Sequence, residues 1–158
     1  MTVSAIVGAL RGCALRAPAE VLGYLNHALC GQVSGFFTCC AALIGVDGRL
    51  IIANAGHLSP YLNSEELSVD PGLPLGIADG TVYAETSYDL GPNDLLTFVS
   101  DGVVEARNAK GELLGFERMA ELVSKPASEV AKAAQRWGQE DDITVLRLAF
   151  AGSGVAHT

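Results

Sequence analysis

The sequence predicts one α+β domain in which helices cover antiparallel β-sheets. The chain has 158 residues, of which 49% are hydrophobic and 18% are charged, which suits a single domain with a sizeable core. Helical patterns come first, followed by strands separated by turns, then by further helices and a last strand. This order lacks the regular alternation of strand and helix that builds a parallel sheet. We expect the domain to span residues 1–150 and the tail at 151–158 to be disordered.

Two helices are predicted at the start of the chain. Residues 1–16 are rich in Ala, Leu and Val, and Pro18 begins the second helix because proline is favoured in a first turn. Gly31 is the predicted end of that helix. Four apolar residues share one face of the second helix at helical spacing: Val21, Leu22, Leu25 and Leu29.

Strands and turns are predicted from residue 36 onward. A β-rich run at 36–46 is followed by Asp47 and Gly48, a pair that favours a tight hairpin, and by a returning strand at 49–54. Further strands are predicted at 82–88, 95–100 and 143–150. Helices are predicted at 102–107, 115–124 and 127–137.

The composition excludes several classes of protein. Ten Lys and Arg residues against 18 Asp and Glu residues give a formal net charge of −8, which disfavours general nucleic-acid binding because phosphate backbones are repelled. No apolar run approaches the roughly 20 residues that span a bilayer. The apolar opening lacks the basic segment and cleavage pattern of a signal peptide. We therefore expect a cytoplasmic protein with no membrane partner.

The four cysteines show no pattern of a metal site. Cys13, Cys30, Cys39 and Cys40 include no C-x-x-C pair, and no histidine lies at the spacing of zinc ligands. We interpret them as small buried residues of a protein in a reducing compartment.

An acidic residue follows the predicted buried strand at 95–100. Such a strand would deliver the carboxylate of Asp101 to the rim of a sheet on a rigid support, and Gly102 would let the backbone turn at once. A carboxylate held in this way is suited to a hard metal ion. The alternative is that Asp101 caps the short helix that follows.

A second acidic group precedes the last predicted strand. Glu140, Asp141 and Asp142 are consecutive, and like charges so close together cost stability unless a cation compensates. The helices between Asp101 and Asp141 could return the chain to the same sheet rim. The alternative is a solvated acidic turn.

Eight segments match, in order, the pattern of one known family and cover nearly the whole chain. They are A-P-A-E-V-L at 17–22, L-N at 25–26, F-F-T at 36–38, A-N-A-G-H at 53–57, G-L-P-L-G-I at 72–77, S-D-G-V-V-E-A-R-N at 100–108, G-E-L-L-G at 111–115 and D-D-I-T-V at 141–145. The sequence resembles the PPM-type metal-dependent Ser/Thr protein phosphatases, in the bacterial branch of stage II sporulation protein E and the RsbU-type regulators.

The resemblance implies an αββα sandwich, two antiparallel sheets flanked by helices, with a binuclear Mn²⁺ or Mg²⁺ site at one end. It implies hydrolysis of phosphoserine or phosphothreonine by a metal-activated water, without a covalent intermediate. Asp101 and Asp141 match metal ligands of the family, and Asp142 matches an alternate ligand or an acceptor behind them. No catalytic residue is expected beyond these ligands. The implied substrate is a phosphorylated anti-sigma-factor antagonist, a small STAS-like protein.

Other residues of the matching segments leave two interpretations open. Glu105 could support the loop after Asp101, together with Gly102, or be an ordinary helix residue. Arg107 could meet the substrate phosphate or be solvated at the surface. His57 could be a general acid, but in this family the segment around it looks structural, with Gly56 turning the chain.

The chain departs from the family pattern at its start. Family members carry a motif of the type G-D-V-x-G-H-G before a helix like residues 1–16, and its Asp bridges the two metals. The first Asp here is Asp47, in a predicted hairpin turn. We therefore expect an N-terminally truncated domain with an incomplete metal site and with exposed sheet edges that favour a homodimer. The alternative is a catalytically incomplete module that binds a regulatory partner.

Overall fold

The computed structural model of the chain describes residues 17–32 and 35–152. The helix expected at 1–16, Cys13, and residues 153–158 of the expected tail lie outside the described residues. The described chain forms two compact units. One holds the residues up to 57 together with 68–90, and the other holds 58–67 together with 91–152.

Among the residues that the structure describes, the first unit contains one helix and a three-stranded antiparallel sheet. The helix and strands are α1 (Pro18–Leu29), β1 (Cys39–Ile44), β2 (Arg49–Ala55) and β5 (Glu85–Asp89), with strand order β1-β2-β5. The predicted hairpin joins β1 to β2: Gly48 has a φ of 88°, and the backbone N–H of Arg49 donates to Asp47 Oδ1 at 3.1 Å. The Asp-Gly pair thus forms the turn that its sequence favours.

Helix α1 buries the face that its sequence predicts. Leu22, Leu25 and Leu29 are buried and pack against residues of the first unit that include Leu75 and Tyr83. Each fully buried leucine contributes about 1.5–3 kcal/mol relative to an exposed one. The helix ends at Leu29, and Gly31 adopts a φ of 71° in the turn that follows, as predicted.

The second unit contains a four-stranded antiparallel sheet and three helices. The strands are β3 (Tyr61–Leu62), β4 (Glu65–Glu66), β6 (Leu95–Val99) and β7 (Val145–Ala149), in the order β4-β3-β6-β7, and the helices are α2 (Asp101–Val104), α3 (Gly115–Leu122) and α4 (Ala127–Gly138). The β3–β4 hairpin was not predicted, because two-residue strands are too short for an alternating pattern to be recognised.

The core of the second unit lies between its sheet and its helices. It is formed by buried residues of β3, β6, all three helices and the loops around them: Tyr61, Val99, Val103, Val104, Ala106, Leu114, Met119, Val123, Val130 and Ala134. Strands β6 and β7 are antiparallel, and Val99 pairs with Val145. The C-terminal end of β6 therefore lies beside the N-terminal end of β7, at one edge of the sheet.

Most predicted elements are confirmed with altered bounds. Strand β1 covers only Cys39–Ile44 of the predicted run, since Phe37 forms an isolated bridge with Leu75 instead of extending the ladder to β2. The last strand begins at Val145. In the part of the chain that the structure describes, no helix is both long and apolar enough to cross a bilayer.

The described cysteines are free thiols. Cys30, Cys39 and Cys40 are all partly buried. Burial raises the pKa of Cys39. Burial and, to a lesser extent, the charge of Cys39 raise the pKa of Cys40 to about 12. The thiols of Cys39 and Cys40 are therefore protonated near neutral pH, as expected of structural cysteines.

Candidate metal centre

Ser100 joins the segment after β6 to the segment before β7. Its backbone N–H donates to the carbonyl of Thr144 at 2.9 Å, and its hydroxyl donates to the carbonyl of Asp142 at 3.1 Å. The same hydroxyl accepts the N–H of Thr144 at 2.9 Å. These bonds extend the β6–β7 ladder beyond its last strand pair, so Asp101 is fixed beside the acidic segment 140–142. The sequence marked the S-D-G motif but did not reveal this role of Ser100.

Gly102 marks a close approach between the same two segments. A Cβ at this position would collide with the carbonyl oxygen of Asp142 and would lie 3.1 Å from its carbonyl carbon. Gly102 is not among the glycines with positive φ, and it lies within the one-turn helix α2. The chain does turn into α2 at this point, but glycine is needed there because the backbone of Asp142 occupies the space of a side chain and not because of a positive φ.

Asp101 and Asp141 are exposed carboxylates whose orientation is set by backbone groups. Asp101 Oδ1 accepts the N–H of Gly102 at 2.9 Å, and Asp141 Oδ1 accepts the N–H of Asp142 at 2.7 Å. A carboxylate offers about four acceptor positions, so each retains capacity for a cation. The structure thus brings the two predicted acidic segments to one edge of the sheet.

Asp142 and Glu105 have different surroundings from the other two carboxylates. The described hydrogen bonds of Asp142 are made by its backbone, with its carbonyl accepting from Ser100 and its N–H donating to Asp141. The N–H of Glu105 donates to the carbonyl of Asp101 at 2.9 Å and so closes helix α2. That helix begins at Asp101 itself, and its N-cap Ser100 makes no side-chain capping bond. The alternative of Asp101 as a helix cap is therefore not observed.

A small cleft opens beside this junction. Its volume is about 200 Å³, and its lining is mainly polar: Gly102, Glu105, Ala106, Arg107, Glu140 and Asp141. Of the acidic residues marked in the sequence, Glu105, Glu140 and Asp141 line the cleft, whereas Asp101 and Asp142 are not among its lining residues. Arg107 and Glu140 form an ion pair across it, with 3.6 Å between Nε and Oε2.

The donor set suits a hard divalent cation. Mg²⁺ is commonly held by one or two carboxylates, with water and substrate phosphate oxygens completing its coordination. Asp101 and Asp141 offer two such carboxylates on adjoining segments. Within residues 17–32 and 35–152, no group of three or more His, Cys, Asp or Glu side chains is arranged to hold a metal ion. The described residues therefore contribute two carboxylates, those of Asp101 and Asp141, to this edge of the sheet.

His57 belongs to the first unit, where its backbone is held by a buried amide. The N–H of His57 donates to Asn54 Oδ1 at 2.9 Å, and its carbonyl accepts from Asn54 Nδ2 at 2.8 Å. Gly56 has a φ of 72°, and a Cβ there would lie 2.6 Å from Cγ of Pro74. The A-N-A-G-H segment therefore has a structural role in its unit, which agrees with the interpretation of its sequence.

Asn26, in the L-N segment at 25–26, is a second buried amide, and the sequence assigned it no role. Its Nδ2 donates to the carbonyl of Ala78 at 2.7 Å, and its Oδ1 accepts the N–H of Gly76 at 2.9 Å. These bonds tie α1 to the loop that carries the G-L-P-L-G-I motif. Position 26 lies on the same helical face as Leu22 and Leu29, so its burial follows from the helical spacing, whereas its hydrogen-bond partners could not be predicted.

Comparison with known proteins connects this geometry to a family. The family model of stage II sporulation protein E (SpoIIE) matches residues 1–151. The chain is 26% identical to Protein IcfG from Synechocystis sp. over 75% of its own length and 21% of that protein. It is also similar to the SiaA-PP2C domain of Pseudomonas aeruginosa, with a TM-score of 0.69 and 26% identity, covering 93% of this chain and 66% of that one.

Two further structures share the fold at lower identity. The RsbU and RsbW domains of Rv1364c from Mycobacterium tuberculosis match with a TM-score of 0.67 and 23% identity, over 94% of this chain and 46% of that one. The PP2C phosphatase domain of SpoIIE from Bacillus subtilis, with a fragment of its regulatory domain, matches with a TM-score of 0.70 and 19% identity, over 92% of this chain and 47% of that one. The chain thus spans about one fifth of IcfG and two thirds or less of these three structures. The chain belongs to the SpoIIE family and has the fold of a PP2C-type phosphatase domain.

Proposed function

We propose that this chain forms part of the phosphatase domain of a metal-dependent protein phosphatase that hydrolyses phosphoserine or phosphothreonine on a regulatory protein. The observation that carries the proposal is the junction of the 100–102 and 141–144 segments, which holds two exposed carboxylates at one sheet edge. This junction occurs in a SpoIIE-family chain with the PP2C fold.

Asp101 and Asp141 would hold the metal, with Asp142 as an alternate ligand or an acceptor behind them. Mn²⁺ or Mg²⁺ is the expected ion, and a Mn-presoaked crystal of the SpoIIE phosphatase domain from Bacillus subtilis supports this choice. When bound, the metal would polarise the phosphoryl oxygens and activate a water for in-line attack.

The residues around the two carboxylates would fix the positions of these carboxylates relative to each other. Ser100 is bonded to both Asp142 and Thr144, and Gly102 permits the close approach of the Asp142 backbone. Small displacements of groups that position a reaction cost much of its rate. These contacts of Ser100 and Gly102 would therefore maintain the spacing of Asp101 and Asp141.

The proposed substrate is a phosphorylated anti-sigma-factor antagonist in the cytoplasm. The family resemblance of the sequence supports this, and one solved relative carries RsbU and RsbW domains in a single protein. A macromolecular substrate also agrees with exposed carboxylates at the edge of a sheet.

Mn²⁺-dependent hydrolysis of a phosphoserine protein or peptide tests the proposal. Asp101→Asn and Asp141→Asn should each lower kcat/KM by about 100-fold or more, since a lost charge-assisted contact made in the transition state costs several kcal/mol. Glu65→Gln is the matched control, because Glu65 is exposed in β4 of the same unit, and it should leave the rate unchanged.

Hydrolysis that persists in both Asp variants would contradict the proposal. Binding of the phosphorylated partner without any metal-dependent turnover would favour the alternative of a non-catalytic binding module.

A further inference from the structure

Arg107 places a cation in the lining of an acidic cleft. Its neighbours in the lining include three carboxylates, those of Glu105, Glu140 and Asp141. A phosphoryl dianion that enters such a cleft is repelled by each of these groups, and the repulsion must be offset by positive charge. A protein guanidinium in the lining is suited to this task, because its planar donors match phosphate oxygens in pairs.

The backbone of Arg107 is firmly held. Its N–H donates to the carbonyl of Gly138 at 3.0 Å, and the residue forms an isolated antiparallel bridge with Leu113. Gly138 has a φ of 146°, and a Cβ there would collide with the carbonyl oxygen of Arg107. The α-carbon of Arg107 is thus fixed against the end of helix α4, just before the acidic segment 140–142.

The side chain of Arg107 is held much more weakly than its backbone. It is 48% exposed, its Nε lies 3.6 Å from Glu140 Oε2, and its contact with the carbonyl of Gly111 is 3.4 Å long. Exposed ion pairs at such distances contribute little to stability. The backbone of Arg107 is therefore held in place, while its guanidinium can exchange Glu140 for a stronger ligand.

We propose that Arg107 binds the phosphoryl group of the substrate and that Glu140 is its competitor in the unliganded cleft. This inference rests on the proposed function, because it assigns a specificity-determining residue to the same site. The phosphoryl oxygens replace the Glu140 carboxylate on the guanidinium, and no covalent bond is made or broken. Loss of Arg107 and loss of the Glu140 charge therefore have opposite effects on phosphoryl affinity.

Inorganic phosphate is the probe, used as a competitive inhibitor of phosphopeptide hydrolysis and in calorimetric titrations of the protein with Mg²⁺ present. Arg107→Ala should raise both KM and the phosphate dissociation constant by about 10- to 100-fold, the loss expected for a hydrogen bond to a charged group, with kcat changed much less. Arg107→Lys should recover part of the affinity, because it keeps the charge but not the paired donors. Glu140→Gln should tighten phosphate binding.

Lys110→Ala is the matched control, since it removes an exposed cation three residues along the chain and outside the cleft lining. It should leave phosphate binding unchanged. Thermal melts of all variants show whether they fold, and Glu140→Gln tests the inference even if Arg107→Ala does not fold.

Two kinds of result would overturn the inference. One is a fall in kcat for Arg107→Ala with KM and phosphate affinity unchanged, or a loss of phosphate affinity in Glu140→Gln. Either result would mean that the ion pair only stabilises the conformation of residues 138–141. The other is a protein that binds no phosphate at all. Calorimetry needs no turnover, so phosphate binding that depends on Arg107 in a protein without hydrolysis would refute the proposed function and support this inference.

Discussion

Polar side chains serve different ends in the two units. In the first unit, Asn26 and Asn54 are 1% and 2% exposed, and both ends of each amide are hydrogen-bonded to backbone groups. In the second unit, Asp101 and Asp141 are exposed, and each is oriented by the adjacent backbone N–H. A buried amide with satisfied hydrogen bonds stabilises a fold, whereas an exposed carboxylate with spare acceptor positions can bind a ligand. Substitutions in the two units should therefore separate stability from activity.

The junction at Gly102 should give the largest combined effect, because there stability and site geometry depend on one contact. Gly102→Ala should lower the free energy of unfolding by about 3 kcal/mol, since the new Cβ displaces the Asp142 backbone. It should also reduce hydrolysis more than its effect on folding explains. Urea unfolding and kcat/KM of the folded fraction measure the two effects.

Gly23→Ala is the matched control for this substitution. Gly23 lies in α1, and among the described residues nothing lies within 4 Å of the position its Cβ would take. Alanine there should stabilise the protein by about 0.5–1 kcal/mol, because it is the better helix former. Equal effects of the two substitutions would contradict the steric explanation of Gly102.

The contact at Gly102 also shows which features of the fold could not be predicted from the sequence. The hairpin at Asp47 and Gly48 was predictable because its signal is local. The approach of the two acidic segments was predictable because each lies at the end of a predicted apolar strand. The close approach at Gly102 was not, since the atoms that require glycine belong to a segment about 40 positions away.

The hydrogen-bond partners that satisfy the buried amide of Asn26 were unpredictable for the same reason. Its partner Gly76 is 50 positions away, so neither segment alone shows the contact. The family pattern marked both L-N and G-L-P-L-G-I, but only the structure relates them. The two-residue strands β3 and β4 carry too few residues for any periodicity.

Asn26→Ala should reduce stability without impairing the chemistry. It removes two hydrogen bonds of a buried side chain, one to the N–H of Gly76 and one to the carbonyl of Ala78, which keeps its bond from the hydroxyl of Thr81. Each lost hydrogen bond costs about 0.5–1.5 kcal/mol. We expect the free energy of unfolding to fall by about 2 kcal/mol, with kcat/KM of the folded protein within a few-fold of the original.

His27→Ala in the same helix is the control, because His27 is exposed and pairs with exposed Asp79. Its effect on unfolding should be smaller than that of Asn26→Ala. A large loss of activity in folded Asn26→Ala would contradict the claim that the buried amides of the first unit affect stability and not activity.

A further expected effect concerns pH and a partly buried thiol of the first unit. The pKa of Cys40 rises from 9.0 to about 12 in the folded protein, mainly through burial. A group whose pKa is higher when folded stabilises the protein fully below its unfolded pKa and loses that contribution as pH rises through the folded value. The free energy of unfolding should therefore decline between pH 9.0 and about 12.

Cys40→Ala should make this alkaline decline shallower. Urea unfolding of both proteins at several pH values across that range measures the difference between the slopes. Identical slopes would mean that the thiol titrates alike in the folded and unfolded chains.

Mn²⁺ binding, followed by the electron paramagnetic resonance signal of the free ion, tests the central claim most directly. If the β6–β7 edge is the cation site, Asp101→Asn and Asp141→Asn should each weaken Mn²⁺ affinity by about tenfold or more while the folded structure is retained. Glu65→Gln should bind Mn²⁺ as the unsubstituted protein does. Unchanged Mn²⁺ affinity in both Asp variants would contradict the assignment of this edge as the metal centre.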